Sequence, residues 1–365
     1  MNERILILGG GYGGALAAAR IAKRGVPVTL VDQGPALVER IRLHQVVAGD
    51  DVAPIPYSRL FRDLPVEVVQ ARVTSIDRER KRVQTTDGEL AYDKLAYALG
   101  SMSETPEHAL SVADPFAVRA RLRDAKHVVI VGGGLTGIEL TAEIAERHPH
   151  LDVTLVDSGL LGADMSARAR RHLLQWMDEH GVTLMEQTRV ATVDRDGVTF
   201  ADGRHLFASV VLWCGAFRVS EIAREAGLEV NARGQIVVDE HLRSSDPSIY
   251  AIGDAASMAG LRMSCAVALP MGTYVADVLT GDTAEPFRFA FVIRCISLGR
   301  HDGIIQFVHA DDSPKELALT GRPAAWVKEL ICRYTVLSLR LERRWRTGNP
   351  ACPDRRDRLS STGPA

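Results

Sequence analysis

The chain has 365 residues, of which 46% are hydrophobic and 25% charged, with a formal net charge of −2. That length suggests two or three domains at about 100–200 residues each, and the near-neutral balance gives no global signal for nucleic acid. Cys214, Cys265, Cys295, Cys332 and Cys352 are scattered with no C-x-x-C or C-x-x-x-x-C pair, which points to free thiols in a reducing, cytoplasmic compartment and excludes a disulfide framework.

After Met1-Asn2-Glu3-Arg4, with no secretory signal pattern, the apolar run Ile5-Leu6-Ile7-Leu8 reads as a buried strand. It enters a G-x-G-x-x-G turn of Gly9, Gly11 and Gly14, and a small-residue helical run from Ala15 to Ala22 follows. In this context the first glycine allows a tight turn, the second lets backbone approach a pyrophosphate, and the third lets helix pack on strand. The next strand, Val28 to Val31, ends at Asp32, 23 residues after the first glycine. Short β-like runs follow at Val66 to Val69, Val73 to Ile76 and Arg82 to Thr85, with a turn at Asp87-Gly88 and an apolar segment from Lys94 to Leu99 that stops at Gly100. The Asp114-Pro115 step marks a crossover.

The same unit then recurs. Val128-Val129-Ile130-Val131 runs into Gly132, Gly134 and Gly137, a helical run covers Ile138 to Ala145, and Val153 to Val156 ends at Asp157, 25 residues after Gly132. Two such units predict two bound dinucleotides. A carboxylate at the strand end accepts hydrogen bonds from ribose hydroxyls and repels a 2′-phosphate, so the second site is expected to prefer NADH over NADPH. Gln33 and Ser158 follow the two carboxylates, so neither has an adjacent arginine to clamp that phosphate. Further on come a helix from Ala167 to His180 capped at Gly181, strands near Val182 to Met185, Ala191 to Val193 and Val210 to Trp213, and a third apolar strand, Ile249 to Ile252, ending at Gly253-Asp254.

No window reaches the ~18–20 apolar residues of a membrane-spanning helix. From Ala324 to Arg346 the spacing predicts an amphipathic helix with Trp326, Leu330, Tyr334, Leu337, Leu341 and Trp345 on one stripe and Arg333, Arg340 and Arg344 to one side. Residues 321–365 carry ten Arg or Lys against four Asp or Glu. Two placements stay open: the stripe lies on an anionic membrane surface, or it docks on the body of the protein. Gly348 to Ala365 is polar and proline-bearing and is expected to be disordered.

These motifs, in this order, resemble the two-dinucleotide-domain flavoproteins of the pyridine nucleotide-disulfide oxidoreductase type, and within them the type II NADH dehydrogenase branch. Besides the two fingerprints, Tyr92-Asp93-Lys94-Leu95 through Ala98-Leu99-Gly100 is similar to the family's Ala-Thr-Gly element, with Leu99 in place of Thr, and Ser245 to Ala256 is similar to its second flavin motif. The resemblance implies an α/β fold of two nested Rossmann-like domains, one for FAD and one for NADH, with a C-terminal extension. The implied boundaries are 1–114 and 235–290 for the two parts of the FAD domain, 115–234 for the NADH domain, 291–347 for a C-terminal strand and helix region, and 348–365 for the tail. It implies that Gly9, Gly11, Gly14, Asp32, Gly100, Gly253, Asp254 and the Val73 backbone serve FAD. Gly132, Gly134, Gly137, Asp157 and Gly215 would serve NADH.

It also implies hydride transfer from NADH to FAD and onward to a small acceptor such as a quinone. Glu139 resembles a glutamate near the nicotinamide and flavin, although a helix first-turn carboxylate reads the same way. Glu143, one turn on, reads as helix surface or packing. Arg42, His44 and Gln45 stand where the family places segments around the flavin ring, with Arg42 and His44 the candidate donors; a structural histidine is the competing reading of His44. No metal site is implied. The departure is at Ser264 to Ala276. Ala266, Pro270 and Met271 replace the glutamines that line the quinone pocket, which leaves a widened site, a closed one, or a helix begun by Pro270 without a substrate role. A ferredoxin-type protein acceptor, a non-catalytic nucleotide-binding redox sensor, a homodimer and a peripheral site on the inner face of the plasma membrane are the other expectations this pattern permits.

Overall fold

The computed structural model describes residues 3–344 except residue 216; Trp345, Cys352 and the tail expected at 348–365 lie outside the described residues. Strand β1 (Ile5–Leu8) passes into helix α1 (Tyr12–Lys23), and β2 (Val28–Asp32) returns parallel to β1 with Ile5 opposite Val28 and Leu8 opposite Val31. A short helix α2 (Leu43–Ala48) precedes β3 (Val66–Gln70) and β4 (Lys94–Tyr97). The second unit contains β5 (Leu110–Ser111), β6 (His127–Val131), α3 (Leu135–Arg147), β7 (Asp152–Val156), α4 (Ala167–Glu179), β8 (Thr183–Met185) and β9 (Val210–Trp213). The chain then supplies β10 (Ile249–Ala251) and α5 (Cys265–Leu279), and ends in β11 (Ile293–Leu298), β12 (Asp302–Val308), β13 (Pro314–Thr320) and α6 (Arg322–Arg344).

Two five-stranded parallel sheets result, ordered β10-β4-β1-β2-β3 and β5-β9-β6-β7-β8. Because β10 closes the first sheet, the second unit is inserted within the first. This is the nested, doubly wound α/β architecture expected from the repeated motif, in which ligands lie outside the carboxyl ends of the strands. Strands β1 and β6 are central and buried, as continuous apolar runs in parallel sheets must be. A third, antiparallel sheet of β11, β12 and β13 adds Ile296, Leu298, Ile304 and Ala318 to the core of the second unit.

Two expectations change. Pro270 does not start a helix; it sits inside α5, which begins at Cys265. The close packing of α5 on α1 explains its tolerance: a Cβ on Gly272 would stand 2.3 Å from the Gly13 carbonyl oxygen, so tertiary contact holds a helix that Pro270 alone would interrupt. The apolar stripe of the last helix does not dock on the body. Trp326 is 66% exposed and Tyr334 52%, while Ala324, Cys332, Thr335, Val336 and Leu339 form the packed face.

Helix α6 joins the two units through polar contacts. Glu342 accepts from Arg20 of α1 at 3.0 Å, and Lys23 donates to the Glu342 carbonyl at 2.8 Å. Nearer its start, Lys328 pairs with Glu139 of α3.

Candidate functional site

The two glycine turns have the same construction. Gly9 has φ +99° and Gly132 φ +108°, conformations that a side chain would strain. A Cβ on Gly14 would stand 2.0 Å from the Gly9 carbonyl oxygen, and one on Gly137 would stand 1.8 Å from that of Gly132, so both positions require glycine for helix to meet strand. The middle glycines differ in kind: a Cβ on Gly11 or Gly134 would meet nothing within 4 Å. These two residues are the N-caps of α1 and α3, and neither helix has a side-chain cap. The first-turn N–H groups of both helices therefore lack a side-chain cap beside an open glycine, an arrangement that fits the pyrophosphate of a dinucleotide.

The strand-end carboxylates stand beside these turns. Asp32 accepts from Gly10 N at 2.7 Å and Gly34 N at 2.9 Å, and the Tyr57 hydroxyl donates to the Gly10 carbonyl at 3.0 Å. Val73 lies just beyond Ala71, whose N–H donates to the Asp32 carbonyl at 2.9 Å. Asp157, half-buried at the end of β7, would come within 2.6 Å of a Cβ on Gly133. Gly215 stands against Gly132, with its amide nitrogen 3.0 Å from where a Gly132 Cβ would lie, beside the buried Trp213 Nε1, which has no protein partner among the described residues.

Around the third apolar strand, Gly253 has φ +69° and Asp254 accepts from the Ser101 hydroxyl at 2.6 Å. Arg40 donates to the Ser101 carbonyl at 2.9 Å, and its guanidinium would be 3.5 Å from a Cβ on Gly100. Ser101 and Arg40 thus join Gly100 and Asp254 in one cluster, and sequence reading had singled out neither. The buried Ser264 hydroxyl at the start of α5 is also without a protein partner among the described residues.

His44 and Glu139 come together; Arg42 does not join them. Arg42 donates to both Glu329 oxygens at 2.9 and 3.0 Å and to Gln45 at 2.9 Å, so its guanidinium fastens α2 to α6. Glu139 pairs with Lys328 Nζ at 2.9 Å and accepts from Ser297 N at 3.1 Å. Burial alone would raise the Glu139 carboxyl, but Lys328 beside it, with the Ser297 amide, holds it below the usual carboxylate range. Burial likewise opposes the charge on Lys328, yet Glu139 keeps its pKa raised. The pair is ionised in the interior. The imidazole of His44 lies 3.8 Å from Glu139 and 3.9 Å from Glu143, and burial pushes it down to about 4, so it is neutral at pH 7.

The stretch from Ser264 also resolves. Ala266 is exposed, whereas Pro270 and Met271 are buried and the Met271 sulfur lies 3.3 Å from Gly253 N. Among the described residues Cys214, Cys265, Cys295 and Cys332 are free thiols, and no helix is long and apolar enough to cross a membrane.

Known proteins share the sequence pattern and the fold. Residues 3–272 match the family model of the pyridine nucleotide-disulphide oxidoreductases. The chain is 29% identical to a NADH dehydrogenase-like protein of Mycobacterium tuberculosis, over 90% of this chain and 92% of that one. It is 28% identical to a type II NADH:quinone oxidoreductase of Staphylococcus aureus, over 93% and 96%. The solved structure of NDH2 from Plasmodium falciparum in complex with NADH shares the fold at a TM-score of 0.79 and 15% identity, covering 95% of this chain and 99% of that one. The chain belongs to the pyridine nucleotide-disulphide oxidoreductase family and is an oxidoreductase of its type II NADH dehydrogenase branch, built without the redox-active cysteine pair.

Proposed function

We propose that the first glycine turn holds FAD and the second NADH, and that electrons leave for a quinone-like or other flat aromatic small molecule. The observation that carries this reading is the pair of uncapped helix N-termini, each beside an open glycine and a strand-end carboxylate. Gly9, Gly11, Gly14, Asp32 and the Val73 backbone would hold the adenosine and pyrophosphate of FAD. Gly100, Gly253 and Asp254, with Ser101 and Arg40, would hold its ribityl side. Gly132, Gly134, Gly137, Asp157 and Gly215 would hold NADH, and the Asp157 carboxylate would repel the 2′-phosphate of NADPH.

Bound in this way, FAD would supply two-electron redox chemistry between NADH and the acceptor. The protein orients both nucleotides and controls one proton, because NADH + H⁺ + quinone → NAD⁺ + quinol consumes one. Glu139, buried and kept ionised by Lys328, is the group placed to take that proton up and return it. Arg42 acts on this site indirectly, through α6, by holding Glu329 one residue from Lys328.

At α5 an acceptor would find no glutamine amides. Pro270 and Met271 belong to the packed core, so of the three replaced positions Ala266 alone faces outward. The exposed stripe of α6, with Trp326, Leu330, Tyr334 and Leu337 flanked by Arg333 and Arg340, supports peripheral contact with an anionic membrane surface, from which an apolar quinone would be drawn.

The test is anaerobic stopped-flow spectroscopy of the yellow holoprotein. NADH should bleach the flavin at least tenfold faster than NADPH at equal concentration, and a short-chain quinone should restore the colour. Protein that binds no flavin, or flavin that NADH leaves oxidised, would sink the assignment; recolouring by a ferredoxin but not by quinones would move the acceptor to a protein.

A further inference from the structure

The opening above the first turn of α1 has a rim built from three segments of the chain. On one side a Cβ on Gly9 would stand 2.3 Å from the Ala98 carbonyl oxygen and 3.0 Å from Leu99 Cα, so the Gly100 turn adjoins the glycine turn. On the other a Cβ on Gly13 would stand 2.5 Å from Ile252 Cγ2, which brings Gly253 and Asp254 to the same helix end. Ser101 bridges the two sides, since its hydroxyl donates to Asp254 at 2.6 Å. Arg40 completes the rim. Its Nη1 donates to the Ser101 carbonyl at 2.9 Å and would be 3.5 Å from a Cβ on Gly100. The next residue, Ile41, turns its amide toward the hydroxyl of Tyr12, the first residue of α1.

Arg40 is exposed, and its Nε and Nη2 have no hydrogen-bond or ion-pair partner among the described residues. The other cations near this end of the fold are spent: Arg42 is paired with Glu329 and Glu39, and Lys328 with Glu139. The motif Gly9-Gly10-Gly11-Tyr12-Gly13-Gly14 supplies no cation of its own, while Asp32 and Asp254 place carboxylates beside it. A pyrophosphate laid there adds further negative charge, against only about half a positive charge at the helix end.

We propose that Arg40 is a clamp for the FAD pyrophosphate: one edge of its guanidinium stays on Ser101, and the free edge closes over phosphate oxygens that rest on the first turn of α1. This role rests on the assignment of the first turn to FAD and deepens it, because it names what keeps that nucleotide resident while the other exchanges. No bond is made or broken. The Nε–H and Nη2–H groups form a planar fork that matches two oxygens of a phosphate. Their charge offsets the repulsion that Asp32 and Asp254 would exert on the pyrophosphate. Through Ser101 and Asp254 the same side chain also ties the pyrophosphate to the ribityl cluster.

Retention of FAD by the holoprotein tests the clamp, read as the fluorescence of flavin released on dilution. Arg40→Met should weaken FAD binding about thirtyfold, and Arg40→Lys should recover part of the loss, since it keeps the charge without the fork. Release from wild type should rise with salt, and the Arg40→Met protein should show a weaker dependence. Competition locates the contact on the nucleotide. ADP, which carries the pyrophosphate and no flavin, should displace FAD from wild type more effectively than adenosine, and Arg40→Met should lose most of that advantage. Because the advantage is a ratio taken within one protein, a change in overall stability does not produce it. Flavin held as tightly by Arg40→Met as by wild type would overturn the clamp. So would weakened retention with the ADP advantage intact, which would place Arg40 against the flavin ring instead. Wild-type protein that binds no FAD would overturn the assignment of the first turn itself.

Discussion

The two glycine-turn units share strands, turn angles and glycine collisions, yet the protein finishes them differently. In the first, Gly9 and Gly10 are buried, Asp32 is tied to two backbone amides, and Tyr57 closes over the Gly10 carbonyl. In the second, Gly132 and Gly133 are half-exposed, and Asp157 stands at the mouth. The helices differ too. Helix α1 buries mostly alanines with one cation, Arg20, whereas α3 buries two carboxylates, Glu139 and Glu143. One fold thus supports a closed, pre-organised cradle suited to a resident cofactor and a more open one suited to a ligand that exchanges every turnover, with the buried carboxylates of the glycine-turn helices carried on the exchanging side.

The glycines give the largest expected effects. Ala at position 14 or 137 forces a methyl group into a backbone oxygen that no rotamer change relieves, costing roughly 3 kcal/mol or more. Gly14→Ala should purify colourless. Gly137→Ala should stay yellow and lose NADH bleaching by over a hundredfold. Ala at 11 or 134 meets open space, so those proteins, compared with wild type as apoproteins, should melt within a degree of it and lose only the ligand of their own turn. If Gly134→Ala bleaches normally, the second turn does not hold NADH.

The aspartates come next. Asp32→Ala strands two backbone amides, and the melting temperature should fall by the equivalent of roughly 2–3 kcal/mol, cofactor or not. Asp157→Ala should leave the fold alone, raise the KM for NADH about tenfold, equivalent to about 1.4 kcal/mol, and narrow the preference over NADPH. Equal destabilisation by the two substitutions would erase the difference between a tied cradle and an open one.

Sequence made one half of this comparison legible and hid the other. The turns could be read because their determinants are local: a positive φ at Gly9 and a collision between residues five apart are written within one motif. The partners of Glu139 could not be read, since Lys328 arrives on a helix from the far end of the chain. Ser101 and Arg40 were hidden likewise, as their roles follow from how the Gly100 turn meets Asp254. Periodicity in α6 revealed a stripe and left open what covers it. The packed face interleaves Val336 and Leu339 with Ala324, Cys332 and Thr335, which carry no strong apolar signature, while the conspicuous aromatic and leucine stripe faces outward.

The most gradual expected effect concerns the carboxylates of α3 and separates that helix from α1 by pH. A carboxyl raised from 4.5 to about 7 contributes stability that is complete below pH 4.5 and is lost as pH rises through 7, at most roughly 3 kcal/mol. The buried His44, lowered from 6.5 to about 4, has the opposite sense: its contribution is present above pH 6.5 and is lost as pH falls toward 4. Between pH 4.5 and 6.5 the two slopes oppose each other, so wild-type melting should be nearly flat there as far as these groups decide it. Glu143→Gln removes one slope. Its melting temperature relative to wild type should rise by a few degrees between pH 5 and pH 8, while His44→Asn should gain on wild type only toward pH 4.5. Parallel melting curves for wild type and Glu143→Gln across this range would mean that the buried carboxyl of α3 ionises as freely as a surface one, and the chemical asymmetry between the two units would be lost.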